Sequence, residues 1–170
     1  MSTLPASSLG LFRGDASDLD EVMETMSAAF EPAFGEAWTR SQCAGILALP
    51  GVWLLLARAD GRPAGFALAR SVIDEAELLL LAVGPAQRRC GVGRAMLDAV
   101  ADEARARGAS HLHLEMRDGN PALMLYEEAG FREVGRRPRY YRGRDGRSFD
   151  AITLACPLTI DEAKAAITTS

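Results

Sequence analysis

The spacing of apolar residues along the chain predicts short strands alternating with amphipathic helices. A stripe of apolar residues between Leu19 and Phe30 recurs every three or four positions, as one face of a helix does. The segment Glu75–Val83 is apolar almost throughout, which predicts a central strand covered on both faces. Asp60-Gly61 separates two strand-like segments and is typical of a hairpin turn. The predicted strands are 9–13, 52–58, 63–72, 75–83, 111–116, 131–141 and 149–158, and the predicted helices are 19–30, 38–47, 91–107 and 121–129.

The order of these elements, β-αα-βββ-α-β-α-ββ, predicts a mixed α/β fold. The helix at 91–107 connects the central strand to the strand at 111–116, so we expect these two strands to be parallel, with a right-handed crossover. Neither a repeat nor a Pro/Gly/Ser-rich linker divides the chain. We therefore expect one domain over residues 1–158, followed by a polar tail over 159–170.

Composition narrows the classes of protein that this chain can represent. Its 170 residues are 48% hydrophobic and 25% charged, which is ordinary for a globular domain. A net charge of −4 does not favour a direct function on nucleic acid. The longest apolar run, Leu78–Val83, is far shorter than the ~20 residues of a membrane span, and the first residues do not resemble a signal peptide. We expect a cytoplasmic protein without a membrane partner.

A glycine turn between the central strand and the following helix carries the clearest chemical signal. The segment Arg88-Arg89-Cys90-Gly91-Val92-Gly93-Arg94 places two glycines where the backbone must approach a ligand closely. The N–H groups at the start of a helix attract anions, and three arginines add positive charge, so a pyrophosphate is the natural ligand. The segment is neither a Walker A loop nor the dinucleotide fingerprint. The alternative is a turn that only caps a helix.

Two motifs together resemble the GNAT N-acetyltransferase superfamily. Leu81-Ala82-Val83 followed by Arg88-x-x-Gly91-x-Gly93 is similar to its acetyl-CoA signature, and Leu125–Phe131 is similar to its leucine-tyrosine-x-x-x-glycine-phenylalanine helix end. Leu114–Arg117 and the segment Arg136–Tyr141 resemble the subgroup of ribosomal-protein-alanine N-acetyltransferases. The resemblance implies a single-domain GNAT fold, with a mixed central sheet, a splayed parallel strand pair and flanking helices.

The resemblance also implies a set of site residues, with acetyl-CoA as cosubstrate and without a metal. Glu115 matches the general base, and Tyr126 matches the general acid that protonates the departing thiolate. Asn120 resembles a residue that contacts CoA, but the Glu115–Tyr126 interval is one residue shorter than usual, so Gly119 is an alternative. The residues implied to contact the cofactor are Leu81, Ala82, Val83, Arg88, Arg89, Cys90, Gly91, Val92, Gly93, Arg94 and Asn120, with the Val83 amide directed at the thioester carbonyl.

Each candidate also has an alternative interpretation. Glu115 could be a solvated carboxylate at a strand end or an ion-pair partner of Arg117, and Tyr126 could be a core aromatic residue. His111 and His113 share a strand face with Glu115, but residues two apart lie ~6.6 Å apart along a strand, so we do not expect a zinc site.

The acceptor is expected to be the N-terminal α-amine of a protein. The resemblance to the subgroup implies that this protein is a small-subunit ribosomal protein that begins with Ala. In this superfamily the segment between the first two helices borders the acceptor site. Its carboxylates, Glu31 and Glu36, are expected to favour a basic residue after the acceptor's first residue. A small-molecule amine acetyltransferase and a non-catalytic acetyl-CoA sensor are the rival functions.

Overall fold

A computed structural model describes residues 8–158, which form one seven-stranded sheet with helices on both faces. The strands are β1 (Leu9–Gly14), β2 (Val52–Ala59), β3 (Arg62–Val72), β4 (Glu75–Val83), β5 (His111–Arg117), β6 (Arg132–Arg142) and β7 (Ser148–Pro157). The helices are α1 (Leu19–Ala29), α2 (Arg40–Leu47), α3 (Val92–Ala106) and α4 (Leu123–Glu128). The strands lie in the order β1-β2-β3-β4-β5-β7-β6. The predicted tail at 159–170 lies outside the described residues.

All predicted helices and strands are present, and a side-chain cap explains the later start of α2. Helix α2 begins at Arg40 rather than Trp38 because Thr39 caps it: the Thr39 hydroxyl accepts from the Gln42 amide, and the Gln42 side chain accepts from the Thr39 amide. Helix α1 begins at Leu19 because Asp15 caps a separate 3-10 turn at Ala16–Asp18. Local polar groups therefore set these boundaries more sharply than apolar spacing does.

A bulge at Leu79 changes which face of β4 is buried in each half of the strand. Leu68 pairs with Leu80 and Ala69 pairs with Leu78, so Leu79 is left unpaired on β3. Leu78 therefore packs into the core beneath α3 and α4, whereas Leu80 packs into the core beneath α1 and α2. The prediction that β4 is covered on both faces is right only in part, because Leu79, Leu81 and Val83 remain half-buried.

The parallel pair β4 and β5 separates halfway along its length. Its paired residues run from Glu75 with His111 to Leu78 with Leu114, and no pairing between these strands follows within the described residues. Strand β4 continues to Val83 on β3, while β5 continues to Arg117 on β7. The predicted parallel, splayed pair is confirmed, and a gap opens between the carboxyl halves of the two strands.

Candidate active site

Two adjoining cavities occupy the gap between the separated strands. The larger, about 350 Å³, extends from the end of β4 to the start of α4 and includes Val83, Arg88 and Leu125 among its lining residues. The smaller, about 70 Å³, lies deeper and includes Glu115 and Tyr141. Both cavities are lined by Phe30, Glu36, Leu81, Asn120 and Tyr126. The tertiary structure thus brings the predicted base, acid and β4 residues to one continuous space.

The backbone of β4 directs polar groups into this gap. The Gly84 amide donates to the Ala64 carbonyl on the β3 side at 2.8 Å. Because successive amides of a strand point to opposite sides, the Val83 amide points away from β3, toward the gap. Leu81, Ala82 and Val83 all line the larger cavity. This arrangement agrees with the predicted direction of the Val83 amide.

The glycine turn begins α3 without a side-chain cap. Arg89 and Gly91 both have left-handed backbone conformations, with φ of 63° and 79°. A Cβ on Gly91 would meet nothing within 4 Å, so this glycine serves the backbone conformation rather than close packing. The first amides of α3 receive no cap from a side chain, which leaves this helix start suited to an anion.

The other residues of the turn have different surroundings. Arg88 donates to the Ala29 carbonyl at the end of α1 at 2.9 Å, and Arg94 pairs with Asp98 one turn along α3 at 3.0 Å. These two arginines are thus engaged with the protein itself. Cys90 is exposed, whereas Val92 is buried.

Glu115 lies on β5 and lines the small cavity, with its side chain 21% exposed. Its Oε1 lies 2.8 Å from Nε of Arg137 on β6, yet this oxygen makes no aligned hydrogen bond. The contact is therefore an ion pair with an arginine whose side chain is 62% exposed. The alternative expectation that Glu115 pairs with Arg117 is wrong, because Arg117 is paired elsewhere.

Tyr126 is buried on α4 and lines both cavities. Its ring packs edge-on against Phe131, with centroids 5.7 Å apart. Burial raises the pKa of the Tyr126 hydroxyl far above its ordinary value, and the nearby Glu36 adds to this effect. The hydroxyl therefore stays protonated at neutral pH. The core interpretation and the acid interpretation of Tyr126 are both compatible with this position.

Asn120 is engaged through both polar atoms of its side chain. Its Oδ1 accepts from the Ala122 amide at 2.9 Å, ahead of α4, and its Nδ2 donates to Glu36 at 2.9 Å. Asn120 lines both cavities, whereas neither includes Gly119. The structure thus places Asn120 at the site, and its contact with CoA stays a prediction.

A buried ion pair that the sequence pattern did not predict lies beside these residues. Nε of Arg117 donates to Glu36 at 2.8 Å, and the two side chains are 8% and 13% exposed. The charge of Glu36 is therefore balanced within the protein, whereas Glu31 lines the larger cavity, and the preference of these carboxylates for a basic acceptor residue stays a prediction. Tyr141, which the sequence indicates only as the last residue of the segment Arg136–Tyr141, also lines the smaller cavity. The pKa of its hydroxyl is raised to about 12, chiefly by burial and then by the charges of Glu36 and Glu115.

The histidines of β5 lie apart from Glu115. His111 and His113 each place Nδ1 3.6 Å from the carboxylate of Glu75 on β4. Within residues 8–158, no three His, Cys, Asp or Glu side chains are arranged to hold a metal ion. Over the same residues, no helix has the length and apolar character to cross a membrane.

Comparison with known protein families identifies the class of acyltransferase to which this chain belongs. The sequence profile of the Acetyltransferase (GNAT) family matches residues 19–131. The chain belongs to this family, and it is an acetyl-CoA-dependent N-acetyltransferase. The resemblance inferred from the motifs is thereby confirmed.

Individual relatives narrow the comparison. A ribosomal protein bS18-alanine N-acetyltransferase of Escherichia coli strain K12 is 44% identical over 102 residues, which are 59% of this chain and 68% of the relative. The N-alpha-acetyltransferase RimI of Mycobacterium tuberculosis is 34% identical over 145 residues, which are 82% of this chain and 87% of the relative. The crystal structure of the ribosomal-protein-S18-alanine N-acetyltransferase from Escherichia coli superimposes with a TM-score of 0.81 at 33% identity, covering 90% of this chain and 96% of that one.

Proposed function

We propose that this enzyme acetylates the N-terminal α-amine of a protein, and that the acceptor is a small-subunit ribosomal protein beginning with Ala. The names of its relatives support this acceptor class. The observation that carries the chemistry is that Glu115 and Tyr126 line one small cavity in the gap between β4 and β5. Because ribosomal proteins are cytoplasmic in bacteria, a ribosomal acceptor implies a cytoplasmic enzyme, which agrees with the expectation from sequence.

In the proposed reaction, the acceptor amine attacks the thioester carbonyl of acetyl-CoA directly. The Val83 amide donates to the oxygen that becomes negative, a type of contact typically worth several kcal/mol in the transition state. Glu115 accepts the proton that the amine loses, directly or through a water, and Tyr126 gives its proton to the CoA sulfur as the C–S bond breaks. The products are an N-acetylated chain and CoA.

The acidity of the acceptor favours an α-amine over a lysine. An α-amine with a pKa of ~7.8 is neutral about one time in seven at pH 7, whereas lysine with a pKa of ~10.4 is neutral about once in 2,500. A carboxylate is a far weaker base than an amine. It therefore suits an acceptor that needs little help to lose its proton.

The cofactor assignments extend the proposal to the larger cavity and the glycine turn. The amides from Arg89 to Arg94 bind the pyrophosphate at the start of α3, and Leu81, Ala82 and Val83 pair with the pantetheine arm. The uncapped helix start and the unpaired edge of β4 support these roles.

Acetyl transfer to a panel of acceptors, measured by mass spectrometry, tests the proposal. The panel contains Ala-Arg peptides, the same peptides with a blocked N-terminus and an internal lysine, and polyamines. We expect transfer only to the unblocked α-amine, with large losses in Glu115→Gln and Tyr126→Phe and none in Glu24→Gln, an exposed carboxylate on α1. Transfer only to polyamines would favour the small-molecule rival, and CoA binding without any transfer would favour the sensor.

A further inference from the structure

Residues 30–39, the segment between α1 and α2, contribute to the lining of both cavities. One carboxylate of this segment forms hydrogen bonds with two other elements of the site. Glu36 Oε1 accepts from Nε of Arg117, at the end of β5, at 2.8 Å. Glu36 Oε2 accepts from Nδ2 of Asn120, in the turn before α4, at 2.9 Å. A single side chain thus joins the segment to two elements that lie more than eighty residues away in sequence.

The arginine in this bridge is held so that it cannot easily turn to another partner. Its guanidinium lies 3.8 Å from the centre of the Phe34 ring and 5.4 Å from that of Phe149, and these rings contact each other edge-on. Its Nη1 also donates to the carbonyl of Asp118. Because the Arg117 side chain is only 8% exposed, losing the Glu36 charge would leave a buried cation without its counterion.

Glu36 also stands at the boundary between the two cavities. It lines the larger cavity together with Val83 and Arg88, and the smaller one together with Glu115 and Trp38. The Glu36–Asn120 hydrogen bond therefore forms part of the wall shared by the larger cavity, proposed for the cofactor, and the smaller cavity with Glu115, which we call the acceptor space.

We infer that Glu36 is a positioning residue: its bridge to Arg117 and Asn120 holds residues 30–39 as a wall of the acceptor space and so determines how tightly the acceptor binds. This inference rests on the proposed function for the identity of the acceptor. The reacting groups themselves are held by other elements, since Glu115 pairs in register with Thr153 on β7 and Tyr126 packs on Phe131. Loosening the segment should therefore weaken acceptor binding more than it slows the chemical step.

Glu36→Gln is the sharpest test, because it keeps the side-chain shape and removes the charge. Glutamine has one oxygen where glutamate has two, so either Arg117 or Asn120 would then face an NH₂ group. Asn120 cannot turn over to compensate without losing its bond from the Ala122 amide. Glu24→Gln, the same change on the exposed face of α1, is the matched control.

The measurement is steady-state kinetics with each substrate varied in turn. For Glu36→Gln we expect the acceptor KM to rise about tenfold, a typical cost for losing a hydrogen bond to a charged group. The kcat should change less than threefold, and the KM for acetyl-CoA should rise less than that for the acceptor, because the amides proposed to bind the pyrophosphate lie at the start of α3 and are not among the partners of Glu36. Glu24→Gln should match the wild type. An unchanged acceptor KM, or equal rises for both substrates, would overturn the inference.

A double-mutant comparison keeps the test valid if single variants lose stability. Arg117→Met removes the buried cation, so the loss of acceptor affinity in Glu36→Gln/Arg117→Met should be smaller than the sum of the single losses. Additive losses would contradict the bridge. The acceptor in every arm is whichever amine the wild type acetylates. A wild type active only on polyamines would reject the proposed function, whereas a Glu36→Gln enzyme equal to the wild type would reject this inference alone.

Discussion

Replacing Tyr126 by phenylalanine removes one buried hydroxyl and keeps the ring that packs on Phe131. Burial raises the pKa of Tyr126 above its ordinary value of 10.0, so the folded protein keeps a proton that the unfolded chain releases above that pH. A group with a raised folded pKa contributes stability that is complete below its unfolded pKa and is lost as pH rises beyond it. The wild type should therefore lose stability in alkali more steeply than the Phe variant.

The size of this difference follows from proton linkage. Each pH unit above the unfolded pKa of one tyrosine lowers the free energy of unfolding by about 1.4 kcal/mol, for as long as the folded form stays protonated. Between pH 8 and pH 11, Tyr126 alone should thus remove about 1.4 kcal/mol from the wild type and nothing from Tyr126→Phe. Burial also raises the pKa of Tyr141, to about 12, so Tyr141→Phe should show an effect of the same sign.

Urea unfolding followed by circular dichroism at pH 8 and pH 11 gives this difference directly, because all other titrating groups are common to both proteins. Acetyl transfer at pH 8 gives the second readout: kcat should fall about 100-fold if the hydroxyl is the general acid. Equal alkaline losses in the two proteins would refute the reasoning about burial. A kcat within threefold of the wild type, with unchanged acetyl-CoA binding, would refute the acid role.

Two substitutions and one labelling experiment test the packing of the core and the position of the glycine turn. Gly93→Ala places a Cβ 3.2 Å from Leu125 Cδ2, a tight contact that the higher helix propensity of alanine offsets, so the free energy of unfolding should change by less than about 1 kcal/mol while acetyl-CoA binding weakens in calorimetry. Phe131→Ala empties a site that is only 2% exposed and should cost about 3–5 kcal/mol in urea unfolding; a cost below 1 kcal/mol would contradict its place in the core. Iodoacetamide should label the exposed Cys90, and saturating acetyl-CoA should slow the labelling; an unchanged rate would contradict the proposed pyrophosphate position.

Much of the fold could be predicted because its signals are local. The strand Glu75–Val83 was predicted with its observed ends, since an apolar run bounded by turns specifies a buried strand. The helix after the glycine turn was placed to within a residue at each end, because Gly91 and Gly108 interrupt the helical spacing there. Even the parallel pairing of β4 with β5 follows from one connecting helix.

The surroundings of the site residues could not be predicted in the same way. Glu115 was expected on a strand and lies on β5, but its partner is Arg137 rather than Arg117, which is nearer in sequence. Arg117 is paired with Glu36 from the segment between α1 and α2, and Glu115 meets Arg137 from the edge strand β6. No spacing rule identifies that residue.

The sequence by itself determined the class of this protein through two motifs, the glycine turn with its preceding strand and the helix end Leu125–Phe131, which resemble those of the GNAT superfamily. The apolar periods determined only a mixed α/β fold with a parallel crossover. Only the tertiary structure decided the Leu79 bulge, which buries opposite faces of β4 in its two halves. It alone also decided the bridge from Glu36 to Arg117, across 81 positions of the chain. The physical reason is that periodicity and capping are interactions between near neighbours in sequence. A buried charge, by contrast, takes its partner from whichever distant segment the folded chain brings within hydrogen-bond distance.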